Sequence, residues 1–298
     1  MNDVKIDKLK ICYKVQEGSF IEVLRKTPDA QLDYEVGFSL ERIEGTHYNY
    51  IYEIRYTDYE DNSCTYLAEQ TLGTISFGLR SDKDEALEDY VWLHINNEQL
   101  YLKYDGKTPN RTIHIDYITD YLRLKFNNIT NLDLAVDSPT NYSKKLIALL
   151  RNENYIPIIN GNKVTDRKSL IEEILYFGVG NLERIKEYSI LIAQKKAHKN
   201  KSMGMSLMTY NKIREIENHS KKDYIRELYG NPKKLYRLEV RVNSDALKAL
   251  FQKEQIPFSI KLLWDNDFLF YLFLTFTERI IRFQSVKGRK VCGLLELI

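Results

Sequence analysis

The chain has 298 residues, of which 43% are hydrophobic and 29% charged, and its formal net charge is only +2. That composition supplies the apolar material for one large domain or two modest ones and argues against a disordered chain. The most lipophilic stretch, "FLFYLFLTF" (Phe268 to Phe276), is nine residues long, far below the roughly 20 that a bilayer span needs, so it reads as a buried helix with no membrane partner.

The amino terminus, "MNDVKIDKLK", alternates charge with single apolar residues and has no export signal. Strand candidates follow: "KLKICYKV" (Lys8 to Val15), "YNYIYEIRYT" (Tyr48 to Thr57), "LGTISFGLR" (Leu72 to Arg80) and "YVWLHIN" (Tyr90 to Asn96). They are short, rich in β-branched and aromatic residues, and have period-two character. The intervening "TDYEDNSC" and "RSDKDEA" carry turn residues. "IDYITDYLRLKF" (Ile115 to Phe126) spaces its apolar residues at three and four, which predicts a helix. Cys12, Cys64 and Cys292 match no zinc or redox spacing; the expectation is a reducing cytoplasm without disulfides.

The alternation then repeats. A strand "LDLAVD" (Leu132 to Asp137) leads into a helix "YSKKLIALLRN", a strand "EILYFGVG" (Glu173 to Gly180), a strand "SLMTYNK", a charged helix near "KDYIRELYG" and a strand "KLYRLEVRVN" (Lys234 to Asn243). Beyond Asp245 the pattern is helical, through "ALKALFQKEQ" and "FLFYLFLTFTERIIRF". The expected fold class is α+β: two related halves of mainly antiparallel sheet with helices packed on one face, plus a helical carboxy-terminal segment. The segments are residues 1–110, 111–245 and 246–298.

Charge is distributed unevenly. From Gln194 to Arg241 there are nine Lys and four Arg against five Asp or Glu, a net +8, leaving about −6 for the remainder. Lys195, Lys196, Lys199 and Lys201 lie in "QKKAHKNKSMGM", either a loop that holds a phosphate backbone or a solubilising hairpin tip.

In "NLDLAVDSP", Asp133 and Asp137 fall on one face of a strand, with Leu132, Leu134 and Val136 on the other. Two carboxylates so placed call for neutralisation. Either Mg²⁺ or Mn²⁺ supplies it, or Asp133 makes an ion pair and Asp137 caps the following turn. In "YRLEVRVN", Arg237, Glu239 and Arg241 share a face opposite Leu238 and Val240. That face is either the solvent side of a sheet or the wall of a polar site, in which Glu239 completes a metal site and the two arginines clamp phosphates. His94 and His114 each lack a second histidine in their strand or segment and read as ordinary, partly buried side chains.

Taken in order, "LDLAVD", "ILYFGVG", "SLMTYNKIREIE" and "YRLEVRVN" resemble the motifs of the plasmid rolling-circle replication initiators of the Rep_trans family and of relaxases in mobile elements. The likeness covers residues 130–245, with a weaker likeness over the amino-terminal strands. It implies that the middle segment is the catalytic half, nicking one DNA strand at an origin through a covalent 5′-phosphotyrosine and later rejoining strands. By position the nucleophile is Tyr210, followed by Asn211 and Lys212, with Glu215 as the acid of that segment. The metal ligands for Mg²⁺ or Mn²⁺ are then Asp133, Asp137 and Glu239, and the DNA contacts Lys195, Lys196, Lys199, Lys201, Arg237 and Arg241. Expected partners are origin DNA, double-stranded with a single-stranded or hairpin nick site, a host helicase, and a second copy in a homodimer. The sequence departs from the family at Asn131, where a basic residue is usual, and at Leu207 to Thr209, which replace the basic residue before the tyrosine. Two other readings share the motifs: a relaxase for element transfer, and a DNA-binding protein without catalysis.

A tyrosine hydroxyl has a reference pKa near 10 and requires a neighbouring base or cation to react at neutral pH. If "MTYNK" is a regular strand, Lys212 shares the face of Tyr210 and supplies that cation.

Overall fold

The computed structural model describes residues 3–32, 37–45, 47–59, 66–79, 89–102, 110–168, 170, 189–193, 204–288 and 290–297. The protein is mixed α and β, built on a large antiparallel sheet and a second, small one. Its residues pack as two compact units, one of Met1–Asp7 with Leu132–Ile298 and the other of Lys8–Asn131. Two long strands, β1 (Lys5–Val15) and β6 (Leu124–Ser138), contribute residues to both.

In the amino-terminal unit the strands β2 (Phe38–Arg42), β3 (Tyr48–Tyr59), β4 (Tyr66–Leu79) and β5 (Tyr90–Ile95) precede β1 and β6 in the order of hydrogen-bonded neighbours. The pairs from β2 through β5 to β1 are antiparallel. Alternation does what it predicts: Leu9, Ile11 and Tyr13 of β1 and Val91, Leu93 and Ile95 of β5 are buried on one face. Gly73 sits where an added Cβ would lie 2.1 Å from the His94 carbonyl oxygen, so only glycine lets β4 and β5 approach this closely. The helix expected over residues 115–126 instead spans Asn110–Tyr121. Arg123 adopts a left-handed φ of 51° and the chain turns into β6 at Leu124, which ends helical geometry regardless of apolar spacing.

In the other unit β6 is followed in the sheet by β11 (Tyr236–Asn243), β10 (Met205–Asn211) and β9 (Ile190–Ala193). Leu132, Leu134, Leu207, Leu238 and Val240 are fully buried on its core face. Helices Tyr142–Arg151, Ser244–Glu254 and Asn266–Ile280 pack there. Ser143 Oγ and Thr209 Oγ1, 3.2 Å apart, tie the first of these helices to β10. The small sheet runs β13-β12-β7-β8, from β7 (Tyr155–Ile159), β8 (Asn162–Lys163), β12 (Ile281–Ser285) and β13 (Val291–Gly293). The sequence reading carried the last long helix to Phe283; in the structure it stops at Ile280, and Ile281 and Phe283 are buried as strand residues against β7. Among the described residues no helix is long and apolar enough to cross a membrane. The strand expected at residues 173–180, Cys64, and Lys195, Lys196, Lys199 and Lys201 lie outside the described residues.

Candidate active site

Antiparallel register places Tyr210 opposite Arg237, Met208 opposite Glu239 and Ser206 opposite Arg241. Directly opposed residues share a face, so Tyr210, Arg237, Glu239 and Arg241 stand together on the side away from Leu238 and Val240. The Tyr210 hydroxyl donates to Glu239 Oε2 at 2.8 Å. Arg241 Nε donates to the other Glu239 oxygen at 2.7 Å. Arg237 Nη1 lies 4.0 Å from Oε2.

Arg237 is wholly buried and is the largest fully buried side chain among the described residues. It forks onto Asp137, with Nε to Oδ1 at 2.7 Å and Nη2 to Oδ2 at 2.6 Å, the bidentate geometry that suits a guanidinium and a carboxylate. Its Nη1 also pairs with Asp7 of β1. Asp133 Oδ2 lies 3.6 Å from Arg241 Nε. Burial alone would raise the pKa of Asp7, but Arg237, helped by Lys212 and Lys222, holds it well below the usual carboxylate range.

Tyr210 is pushed the other way. Burial, then the charge of Glu239 and its hydrogen bond, lift the phenol well above its ordinary value, against the opposing pull of Arg237. Burial, with Arg237 second, lowers the pKa of Lys212, while Asp7 and Glu215 support its charge. Burial would lower that of Arg241, but the charge and hydrogen bond of Glu239, together with Asp133, raise it.

Lys212 does not sit on the strand face as a regular β-strand would place it. β10 ends at Asn211, whose side-chain oxygen accepts from the Arg214 amide at 3.0 Å and caps the turn Lys212–Glu215. A π-helical turn, Ile216–Ser220, continues it. Lys212 is buried, donates to Glu215 Oε2 at 2.6 Å, and holds its ammonium 5.8 Å from the centre of the Tyr210 ring. Ser220 Oγ binds the same Glu215 oxygen at 3.1 Å. Asn211 thus shapes the turn that brings Lys212 beside the tyrosine.

The three carboxylates expected to hold a metal come to this face, but each is engaged by an arginine. Among the described residues no three His, Cys, Asp or Glu side chains converge as a ligand set. Arg237 and Arg241 supply the positive charge that a divalent ion would bring, so the donor set as arranged does not fit one. Of the expected DNA-contacting arginines, Arg241 has a side chain 48% exposed and Arg237 has none of its surface exposed. A competing tyrosine, Tyr229, also has a raised pKa, from burial and then Asp137. Its buried hydroxyl has no hydrogen-bond partner among the described residues, so nothing there accepts its proton. Asp7 was missed by sequence reasoning: it is one acid among apolar and basic residues in "VKIDKLK", and only strand order brings it to Arg237.

No family model and no curated protein matches the chain. The solved structure of a rolling circle replication initiator protein from Geobacillus stearothermophilus is similar over 97% of this chain and 89% of its own, with 13% sequence identity and a TM-score of 0.44.

Proposed function

We propose that the protein is a replication initiator that nicks one strand of origin DNA through Tyr210 and rejoins strands by the reverse step. The observation that carries this reading is the 2.8 Å hydrogen bond from the Tyr210 hydroxyl to Glu239 within an arginine-rich site, together with the order of the four motifs around it. A phenol raised well above 10 is not ionised at neutral pH, so reaction requires a proton acceptor in contact with it. Glu239 is that acceptor. As the Tyr210 oxygen bonds to phosphorus its proton passes to Glu239, the bond from phosphorus to the 3′ oxygen breaks, and that oxygen leaves as a hydroxyl after taking a proton from water. The 5′ phosphate remains on the tyrosine, and the ester retains the free energy needed for rejoining.

Arg241, the exposed arginine of the set, contacts the phosphate, and Lys212 offsets charge developing beside the ring. Arg237 fixes Asp137 and Asp7 and keeps a positive field at Glu239. Asn211 acts as a positioning residue through its cap. The chemistry serves replication or element transfer equally, and the proposal is initiation of replication. Mg²⁺ or Mn²⁺ enters as a variable of the assay, with no step assigned to it.

The test is nicking of supercoiled DNA carrying the cognate origin, with and without each ion, by the intact protein, Tyr210→Phe and Glu239→Gln. The expected result is a denaturant-resistant adduct that is lost in Tyr210→Phe and formed about 10²- to 10⁴-fold more slowly in Glu239→Gln, the usual range for a general base. Nicking retained by Tyr210→Phe would show that another group is the nucleophile. A protein that binds the origin but never forms the adduct would favour the binding-only reading.

A further inference from the structure

The sheet of the amino-terminal unit has a second face, away from Leu9, Ile11, Leu93 and Ile95. Register there sets Lys10 opposite His94, Cys12 opposite Trp92 and Lys14 opposite Tyr90. These pairs share one surface. Tyr48 joins them: the Lys10 ammonium donates to its hydroxyl at 3.1 Å and lies 5.3 Å from its ring centre, and the Tyr48 and Trp92 rings are 5.4 Å apart. The Asn127 amide of β6 reaches Cys12 Sγ at 3.6 Å, and Lys125, two residues away on the same face, is exposed, as is Lys14. The acids nearest along these rows, Glu41 and Glu53, are paired with Arg55.

Half-buried aromatic rings ringed by lysines are poorly matched to a protein partner, because the centre of a protein interface is depleted in lysine. They match single-stranded nucleic acid, whose unpaired bases present flat faces for stacking while the backbone presents phosphates. A duplex offers only bases already stacked on one another. We infer that this face is a platform for single-stranded DNA, with Trp92 and Tyr48 stacking bases and Lys10, Lys14 and Lys125 holding phosphates. The choice of DNA over RNA rests on the function proposed above; the platform itself is independent of chemistry at Tyr210.

The chain contains two tryptophans, so in Trp264→Phe the remaining emission reports Trp92. Titration of the full-length protein with a twelve-residue oligothymidylate is expected to quench that emission. Tyr48→Leu should weaken binding about tenfold, the effect of one lost stacking partner. Lys10→Gln with Lys14→Gln should reduce the slope of log K against log salt by about 1.4, at about 0.7 for each phosphate contact on a single strand. Should Trp264→Phe fold poorly, the quench seen in the unmodified protein and missing in Trp92→Phe gives the same reading. Binding of the oligonucleotide without any change in Trp92 emission would overturn the proposal, as would equal quenching by duplex DNA, tighter binding of the corresponding oligouridylate, or no binding at all.

Discussion

Arg237 holds two carboxylates from a fully buried position, and its removal would leave both without their guanidinium. The linked group that reports this most directly is Asp7, whose pKa in the folded protein is depressed. A depressed carboxylate contributes stability that is complete above its unfolded value, ordinarily 3.8, and that is lost as pH falls through the lower folded value. The unmodified protein should therefore exceed Asp7→Asn in urea midpoint near neutral pH, and the gap should close only as pH drops below about 4. A gap that persisted unchanged at low pH would mean that Asp7 acts through packing. At this scale the sequence was informative where a motif spans neighbouring residues: alternation alone placed Arg237, Glu239 and Arg241 on one face and Asp133 and Asp137 on another shared face. It was silent on which opposite charges would meet. Asp137 meets Arg237 because β6 and β11 are sheet neighbours, a fact of pairing that no local spacing encodes.

The passage from β10 into a short helix is the element that assembles the site. A strand continued through Lys212 would set that side chain on the tyrosine's face two residues along; the cap at Asn211 instead starts a helical turn that buries it, with its ammonium 5.8 Å from the ring centre. Asn211→Ala should cost about 1 kcal/mol, the usual worth of such a cap, and should slow adduct formation, while Asn211→Asp should keep both. Equal loss in the two variants, measured by urea unfolding alongside nicking, would rule out the cap as the reason for this residue. Elements with a strong period, such as β1, β5, β11 and the helix Tyr142–Arg151, were legible because one face of each is apolar. Their ends were not. Tyr121 closes a helix whose apolar spacing runs on to Phe126, since a left-handed residue intervenes, and Ile281 opens a strand inside an apolar run because β7 offers it a partner.

At the scale of the molecule, residues 3–7 pack with a unit formed otherwise from Leu132 onward. Val4 and Ile6 are buried there and Asp7 binds Arg237. Removal of residues 1–7 should thus destabilise the unit by several kcal/mol, in line with loss of two buried aliphatic side chains and an ion-pair partner. It should reduce nicking more than Asp7→Asn does, and thermal unfolding followed beside the nicking assay checks both. The twofold strand-rich pattern was readable in advance, but not the exchange of strand ends, which depends on β1 and β6 each being long enough to serve both units.

Asp7 and Arg237 stand 230 positions apart in the chain, so their pairing is one of the non-local contacts that carry the entropy cost of closing a long loop. During synthesis, Asp7 leaves the ribosome long before the guanidinium that will receive it exists, and Tyr210 emerges ahead of Glu239, its hydrogen-bond acceptor. Under the proposed mechanism, a nascent or prematurely terminated chain that stops short of β11 lacks the acceptor for the Tyr210 proton, so the cutting of DNA awaits synthesis of that strand.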